Sequence, residues 1–237
     1  MSHAIISKTR KDYNLIAKHF SDTRAHPWAE FEYFKKFIKD SQNILDWGCG
    51  NGRLLYCLKN KKAKYFGVDQ SSELLKIARK NFKEQIKSGQ AKFFCVPGGL
   101  KKFPNNFFDT VFIISSLFHL PTEESRLKIL KNIFVQMKTG AKIIIEVWNL
   151  ESDWAKIKIK KGWAKIGDND FLIPWKDPTG KKICDRYYHH FTPVELEMLC
   201  QRAGYTVQNV GFIGNGGTWT DNKGGKNLIL VATKKAP

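Results

Sequence analysis

The sequence predicts an α/β protein of the doubly wound class, with a mostly parallel, seven-stranded sheet, helices on both faces, N-terminal helices and a late lid insertion. Three observations lead there. From Gln42 onward short apolar runs alternate with amphipathic stretches, as when crossover helices join parallel strands. The first run, Ile44-Leu45-Asp46, enters the turn Trp47-Gly48-Cys49-Gly50-Asn51-Gly52. The second, Tyr65-Phe66-Gly67-Val68, stops on Asp69. A chain of 237 residues suits one substantial core. We therefore expect a single domain over 1–237, with a helical cap at 1–41, the core at 42–150, the insertion at 151–191, and a closing helix and strands at 192–237.

Helical stretches are expected at 11–20 and 29–39, ahead of the sheet. Strands follow at 43–46, 64–69, 92–96, 109–115 and 142–148, with helices at 72–87 and 122–138. In the second of these, Leu127, Leu130, Phe134 and Met137 recur at three- and four-residue steps; Thr122 supplies a cap, Glu123 and Glu124 suit the positive end of the dipole, and Gly140 ends the helix. Another helix starts at Thr192, with Glu195 placed to complete a capping box and Leu196, Leu199, Cys200 and Ala203 as its apolar face. Strands at 206–213 and 227–233 flank the Gly-rich 214–225, which reads as a hairpin loop. The stretch 151–190 shows no clear period, and that length inside a compact domain marks a lid or binding insertion.

The glycine turn carries the chemistry. Glycine lets backbone N–H groups approach an anion at a helix start. A dinucleotide turn needs Gly-x-Gly-x-x-Gly, whereas here the third glycine follows after one residue and Asp46 stands where it would repel pyrophosphate. An acid there suits an amine, and S-adenosylmethionine has one beside a carboxylate that the amides of Gly48, Cys49 and Gly50 could hold. Asp69 lies where doubly wound folds grip a ribose, followed by Gln70 and Ser71. The third strand ends in Val96-Pro97-Gly98-Gly99-Leu100 without an acid for the adenine amino group, so Gly98, Gly99 and Leu100 are expected to meet the adenine through backbone and apolar contacts.

Forty Lys and Arg against 22 Asp and Glu leave a formal charge of +18, which suits a polyanion such as RNA or a merely basic, solvated surface. Trp154-Ala155-Lys156-Ile157-Lys158-Ile159-Lys160-Lys161-Gly162-Trp163 alternates in a way that would align lysines on one face of a strand. Such a ribbon could track phosphates while a tryptophan stacks on a base, or it could be a protected edge. The five cysteines, at 49, 57, 95, 184 and 200, form no Cys-x-x-Cys pair and no group with histidine, which argues against a disulfide framework and a zinc site and for a reducing, cytoplasmic setting. No run is long enough to cross a bilayer.

From Gln42 to about Trp148 the chain resembles class I methyltransferases, which implies a Rossmann-like methyltransferase fold and S-adenosylmethionine as cofactor. Three outlying segments resemble the tRNA wobble-uridine methyltransferases that esterify carboxymethyluridine. These are Tyr13-Asn14-Leu15-Ile16-Ala17-Lys18-His19-Phe20-Ser21-Asp22-Thr23-Arg24 followed by Trp28, Phe171-Leu172-Ile173-Pro174-Trp175-Lys176, and Arg186-Tyr187-Tyr188-His189-His190-Phe191. The resemblance implies a tRNA anticodon-loop substrate, and a small zinc-binding activator protein as in eukaryotic relatives. It puts Arg24, Arg186 and Tyr187 in the catalytic set; His119 joins them by its place at the carboxyl end of the fourth strand, where ligands bind in this architecture and where it could equally cap the following turn, and Tyr13 and Ser115 are expected beside the cofactor. The chain departs from the family at Phe118-His119, where a His-His pair is usual, and at Asn227-Leu228, where Asn-Trp is usual. A carboxylate acceptor is ionised at neutral pH and needs placement rather than a base. Arg24 could instead hold the methionine carboxylate, and His189 and His190 read as structural. A small-molecule methyltransferase and a non-catalytic cofactor-binding protein are the competing functions.

Overall fold

The computed structural model describes residues 2–24, 31–99 and 101–235; Trp28 and Leu100 lie outside the described residues. Two helices, α1 (Ser2–Asp22) and α2 (Phe31–Lys35), precede the sheet. The core strands are β1 (Asn43–Trp47), β2 (Lys64–Asp69), β3 (Ala91–Cys95), β4 (Phe108–Ile114) and β5 (Met137–Trp148), with α3 (Ser72–Asn81), α4 (Lys83–Lys87) and α5 (Glu123–Gln136) between them. The insertion folds as α6 (Asp153–Lys160), β6 (Ala164–Lys165), β7 (Asp170–Lys176) and β8 (Lys182–His189); α7 (Pro193–Arg202), β9 (Thr206–Ile213), β10 (Trp219–Thr220) and β11 (Asn227–Thr233) follow.

The main sheet runs β3-β2-β1-β4-β5-β11-β9-β10. Its first five strands pair in parallel, and β11 is antiparallel to both its neighbours. The eighth strand, beyond the seven expected, is the two-residue β10, folded back from the Gly-rich loop onto the edge of β9. Both faces are buried, so alternate residues enter opposite cores. Leu45, Ile143, Ile145 and Leu230 pack on one side, and Ile44, Ile144, Ile229 and Val231 on the other. The chain steps from β1 outward to β2 and β3, then returns to β4 on the far side of β1. The carboxyl ends of β1 and β4 thus flank the crevice where such sheets bind ligands.

Several elements differ from expectation. The helix expected over 72–87 breaks at Phe82, whose buried ring stacks on Phe93 and turns the backbone out of helical geometry. The glycine turn opens a short 3₁₀ segment, Arg53–Leu58, rather than an α-helix. The helix expected to reach 138 stops at Gln136, and buried Met137 already belongs to β5. Gly140 (φ +79°) therefore ends no helix; it forms part of a bulge, and its N–H donates to the Lys234 carbonyl at 2.7 Å. The buried face of α5 is Arg126, Ile129, Leu130 and Ile133. Thr192 caps α7, but Glu195 turns its carboxylate elsewhere, so the capping box is half formed.

The alternating lysine segment is the helix α6 and not a strand. Ser152 caps it by accepting from the Ala155 N–H, and Ala155 and Ile159 face inward one turn apart. Lys156, Lys158 and Lys160 consequently fan around the exposed side. Trp154 and Trp163 are not held out for bases. They pack on Trp148, at ring distances of 5.7 and 5.9 Å. The rest of the insertion is a three-stranded antiparallel sheet, β6-β7-β8. α1 bridges this sheet and the core: Trp175 Nε1 donates to His19 Nδ1 at 3.1 Å, Lys8 Nζ to the Asp185 carbonyl at 2.6 Å, and Ser71 Oγ to Asn14 Oδ1 at 2.8 Å. No helix among the described residues is long and apolar enough to cross a membrane.

Candidate functional site

An open cavity occupies the crevice, bounded by the glycine turn, the ends of β2 and β4, α1 and β8. The turn is built by its own hydrogen bonds. The N–H groups of Gly48 and Cys49 donate to the Val68 carbonyl at 2.7 and 3.1 Å, that of Gly52 to the Cys49 carbonyl at 2.9 Å, and that of Gly50 to Asp69 Oδ2 at 2.8 Å. These amides are spent inside the protein, which corrects the expectation that Gly48, Cys49 and Gly50 hold an anion through N–H groups. The glycines serve shape instead. A Cβ on Gly48 (φ +79°) would lie 2.3 Å from Ser116 Cβ. One on Gly50 (φ +55°), which lines the cavity, would meet only Leu74 Cδ1, at 3.9 Å, among the described residues.

Two acids face this end. Asp69 also accepts from the Ser71 N–H at 2.7 Å, so each of its oxygens carries one backbone bond and keeps capacity for another donor. Burial pushes its pKa up, and the backbone N–H groups oppose that shift. Asp46 accepts from Tyr65 Oη at 2.6 Å, and burial raises its pKa to about 7. Beside them Ser115, in a left-handed conformation (φ +50°), donates to the Glu146 carboxylate at 3.2 Å.

The opposite wall is cationic and aromatic. Arg186, on β8, is 3% exposed and lies over Trp175, Tyr188 and Tyr13 with the guanidinium carbon 4.8, 5.2 and 5.8 Å from the ring centres. It donates through Nη1 to Tyr13 Oη at 3.3 Å, while its Nε has no partner among the described residues. His119 completes the chain. Its Nδ1 donates to the Tyr187 carbonyl at 2.7 Å, which leaves Nε2 to accept from Tyr13 Oη at 2.8 Å. Burial, with Arg186 nearby, lowers its pKa to about 3, so the ring is neutral. Arg24 packs on Phe20 and Trp175 at 4.2 and 5.1 Å, and Arg53 enters from the far side of the glycine turn.

The cavity gathers most of the expected residues: Tyr13, Arg24, Asp46, Gly48, Cys49, Gly50, Asp69, Gln70, Gly98, Gly99, Ser115, His119 and Arg186. Two expected residues point elsewhere. Ser71 is fully buried and caps α3, accepting from the Leu74 N–H. Tyr187 donates to Asp170 Oδ1 at 2.6 Å, on the opposite face of β8 from Arg186. Strand alternation brings Tyr188, not Tyr187, into the cavity. The Gly99 carbonyl accepts from Trp47 Nε1 at 2.7 Å and is partly used. Arg53, Asn51, Trp148 and Tyr188 were missed. Arg53, the residue after the third glycine, was the one with a readable signal.

The fold and site define an S-adenosylmethionine-dependent methyltransferase. A methyltransferase-domain family matches residues 44–140. Two solved structures share the fold: the 1,6-didemethyltoxoflavin-N1-methyltransferase of Burkholderia thailandensis with bound S-adenosylhomocysteine (TM-score 0.69, 18% identity, 100% of this chain and 91% of that one), and a Haloferax volcanii methyltransferase in complex with the Trm112 methyltransferase activator (TM-score 0.68, 14% identity, 97% and 98%). The tRNA (carboxymethyluridine(34)-5-O)-methyltransferase of Schizosaccharomyces pombe is 30% identical over 218 residues, covering 84% of this chain and 89% of that protein. A longer relative of the same designation from Xenopus tropicalis is 29% identical over 240 residues, and the chain spans 37% of it. The chain belongs to the tRNA (carboxymethyluridine(34)-5-O)-methyltransferase family.

Proposed function

We propose that the protein methylates the carboxyl group of 5-carboxymethyluridine at the wobble position of a tRNA, giving a methyl ester. Arg186 carries this reading: a buried guanidinium on the cavity wall, with an unsatisfied N–H and no ion pair to an acid among the described residues. A buried cation left without an anion costs several kcal/mol, so such a wall suits an anionic ligand. The names of the relatives support a carboxylate on a tRNA base as that anion.

The donor set fits S-adenosylmethionine. Asp69 has lone pairs left for two ribose hydroxyls, Asp46 suits the ammonium, and Arg24 takes the methionine carboxylate in place of the occupied amides. The backbone of Gly98 and Gly99 borders the adenine. When bound there, the cofactor would supply an electrophilic sulfonium methyl to a carboxylate oxygen, with S-adenosylhomocysteine as the leaving group. His119 is not the base, because both its nitrogens are engaged and the substrate needs none. It holds Tyr13 in place for Arg186. Arg186 orients the substrate carboxylate, and its bond to Tyr13 keeps it from gripping the nucleophile so tightly that it loses reactivity. A small activator subunit, as in the Haloferax complex, and a cytoplasmic location belong to the same reading; co-purification from fractionated cells tests both.

Labelled S-adenosylmethionine and tRNA bearing carboxymethyluridine test the reaction. Label should enter the tRNA and leave as methanol in mild alkali; alkali-stable label, or transfer to small acids alone, would overturn it. Arg186→Ala should lower kcat/KM by about 100-fold while S-adenosylhomocysteine still binds.

A further inference from the structure

A second, open cavity adjoins the first and shares Arg24, Asn51 and Arg53 with it. Lys18 of α1 and Lys80 of α3 line it, together with Ser21 and Tyr56. One acid, Asp22, also borders it and is paired with Lys18 at 2.8 Å. Ser21 is 8% exposed and its hydroxyl has no partner among the described residues, so a buried O–H in this wall lacks an acceptor there. Burial, and then the charge of Arg24, lowers the pKa of Arg53 to about 10, the mark of cations brought together in a cavity. Tyr56 is braced edge-on by Phe82 at 5.1 Å yet stays 41% exposed at the rim.

We propose that this second cavity binds the phosphodiester beside the target nucleotide, with the neighbouring base stacked on Tyr56. The inference rests on the reading of the substrate as RNA. A nucleotide whose base enters the first cavity carries its backbone into the same crevice, and with Arg24 turned to the cofactor carboxylate and Lys18 paired with Asp22, the adjoining space still offers what a phosphate needs: the point charge of Lys80, the Arg53 guanidinium and a hydroxyl donor. An exposed aromatic ring beside a cationic groove is how single strands are held without reading sequence.

The test compares an anticodon stem-loop containing carboxymethyluridine with the free nucleoside 5-carboxymethyluridine. Lys80→Glu should raise KM for the stem-loop about ten-fold and flatten its salt dependence by about 0.7 in the log–log slope. Tyr56→Ala should also cost about ten-fold and Tyr56→Phe little. KM for the nucleoside and affinity for S-adenosylhomocysteine should hold in all three. Equal losses on nucleoside and stem-loop, or an unchanged stem-loop KM, would overturn the proposal. So would a Lys80→Glu enzyme that escapes inhibition by inorganic phosphate but keeps its stem-loop KM, since the cavity would then take free phosphate. If the parent methylates no RNA, the functional reading fails on its own, and direct binding of the unmodified stem-loop by parent and Lys80→Glu proteins still decides the role of this cavity.

Discussion

Burial moves Asp46 and His119 in opposite directions, and each shift fixes what the residue can do. With its pKa raised to about 7, Asp46 is partly protonated in the free enzyme near neutrality. An ammonium placed beside it favours the ionised form, so binding lowers that pKa and releases a proton. The sign follows: affinity for S-adenosylhomocysteine should weaken as pH falls below about 7. Calorimetry at pH 7 in buffers of different protonation enthalpy should give buffer-dependent heats that report proton release, and identical heats would remove Asp46 from the amine site. His119, with its pKa lowered to about 3, contributes no limb to a pH–rate profile in the neutral range. Its position in the turn just beyond β4 was legible from the strand pattern. Its role was not, because an imidazole held between a carbonyl and a phenol reads in sequence like any catalytic histidine.

Among the elements, β8 separates a motif from its geometry. Tyr187 and His189 both reach Asp170 Oδ1, at 2.6 and 2.8 Å, and His189 Nε2 lies 2.7 Å from Glu195 Oε1, which also accepts from Arg126 Nη1 at 3.2 Å. This network fastens the insertion to α5 and α7 and makes Tyr187 structural. Tyr187→Phe should lower unfolding stability by about 1–2 kcal/mol, as expected for losing a bond to a carboxylate, and leave kcat/KM within two-fold. Denaturant titration beside initial rates checks both, and a large loss of turnover at full stability would return Tyr187 to the site. The resemblance pointed to Arg186 and Tyr187 together, yet in a strand only one of two neighbours can face a cavity. Without a visible period across 151–190, the sequence did not say which. The strands expected at 206–213 and 227–233 were legible to the residue, because short β-branched and apolar runs there flank a Gly-rich loop. In α6, alternating lysine and isoleucine suited a strand as well as a helix, and the choice fell to the Ser152 cap and tryptophan packing.

Across the whole molecule, the charge of +18 meets a surface on which α6 spreads its lysines instead of aligning them. Binding to tRNA should therefore be diffuse and strongly salt-dependent, driven by counterion release. Changing Lys156, Lys158 and Lys160 together to Gln should flatten the salt slope and weaken every tRNA alike without touching cofactor affinity. Filter binding across a salt series measures it, and a slope identical to the parent's would exclude α6 from the interface. The bridge made by α1 also sets an order of events during translation. Tyr13 and Arg186 are joined by a hydrogen bond across 173 residues of chain. At ordinary synthesis rates α1 waits on the order of ten seconds for β8 to leave the ribosome. A nascent chain at that stage already has its glycine turn, Asp46 and Asp69, but not the strand carrying Arg186. It has half of the proposed site: the glycine-turn end without the wall that carries Arg186.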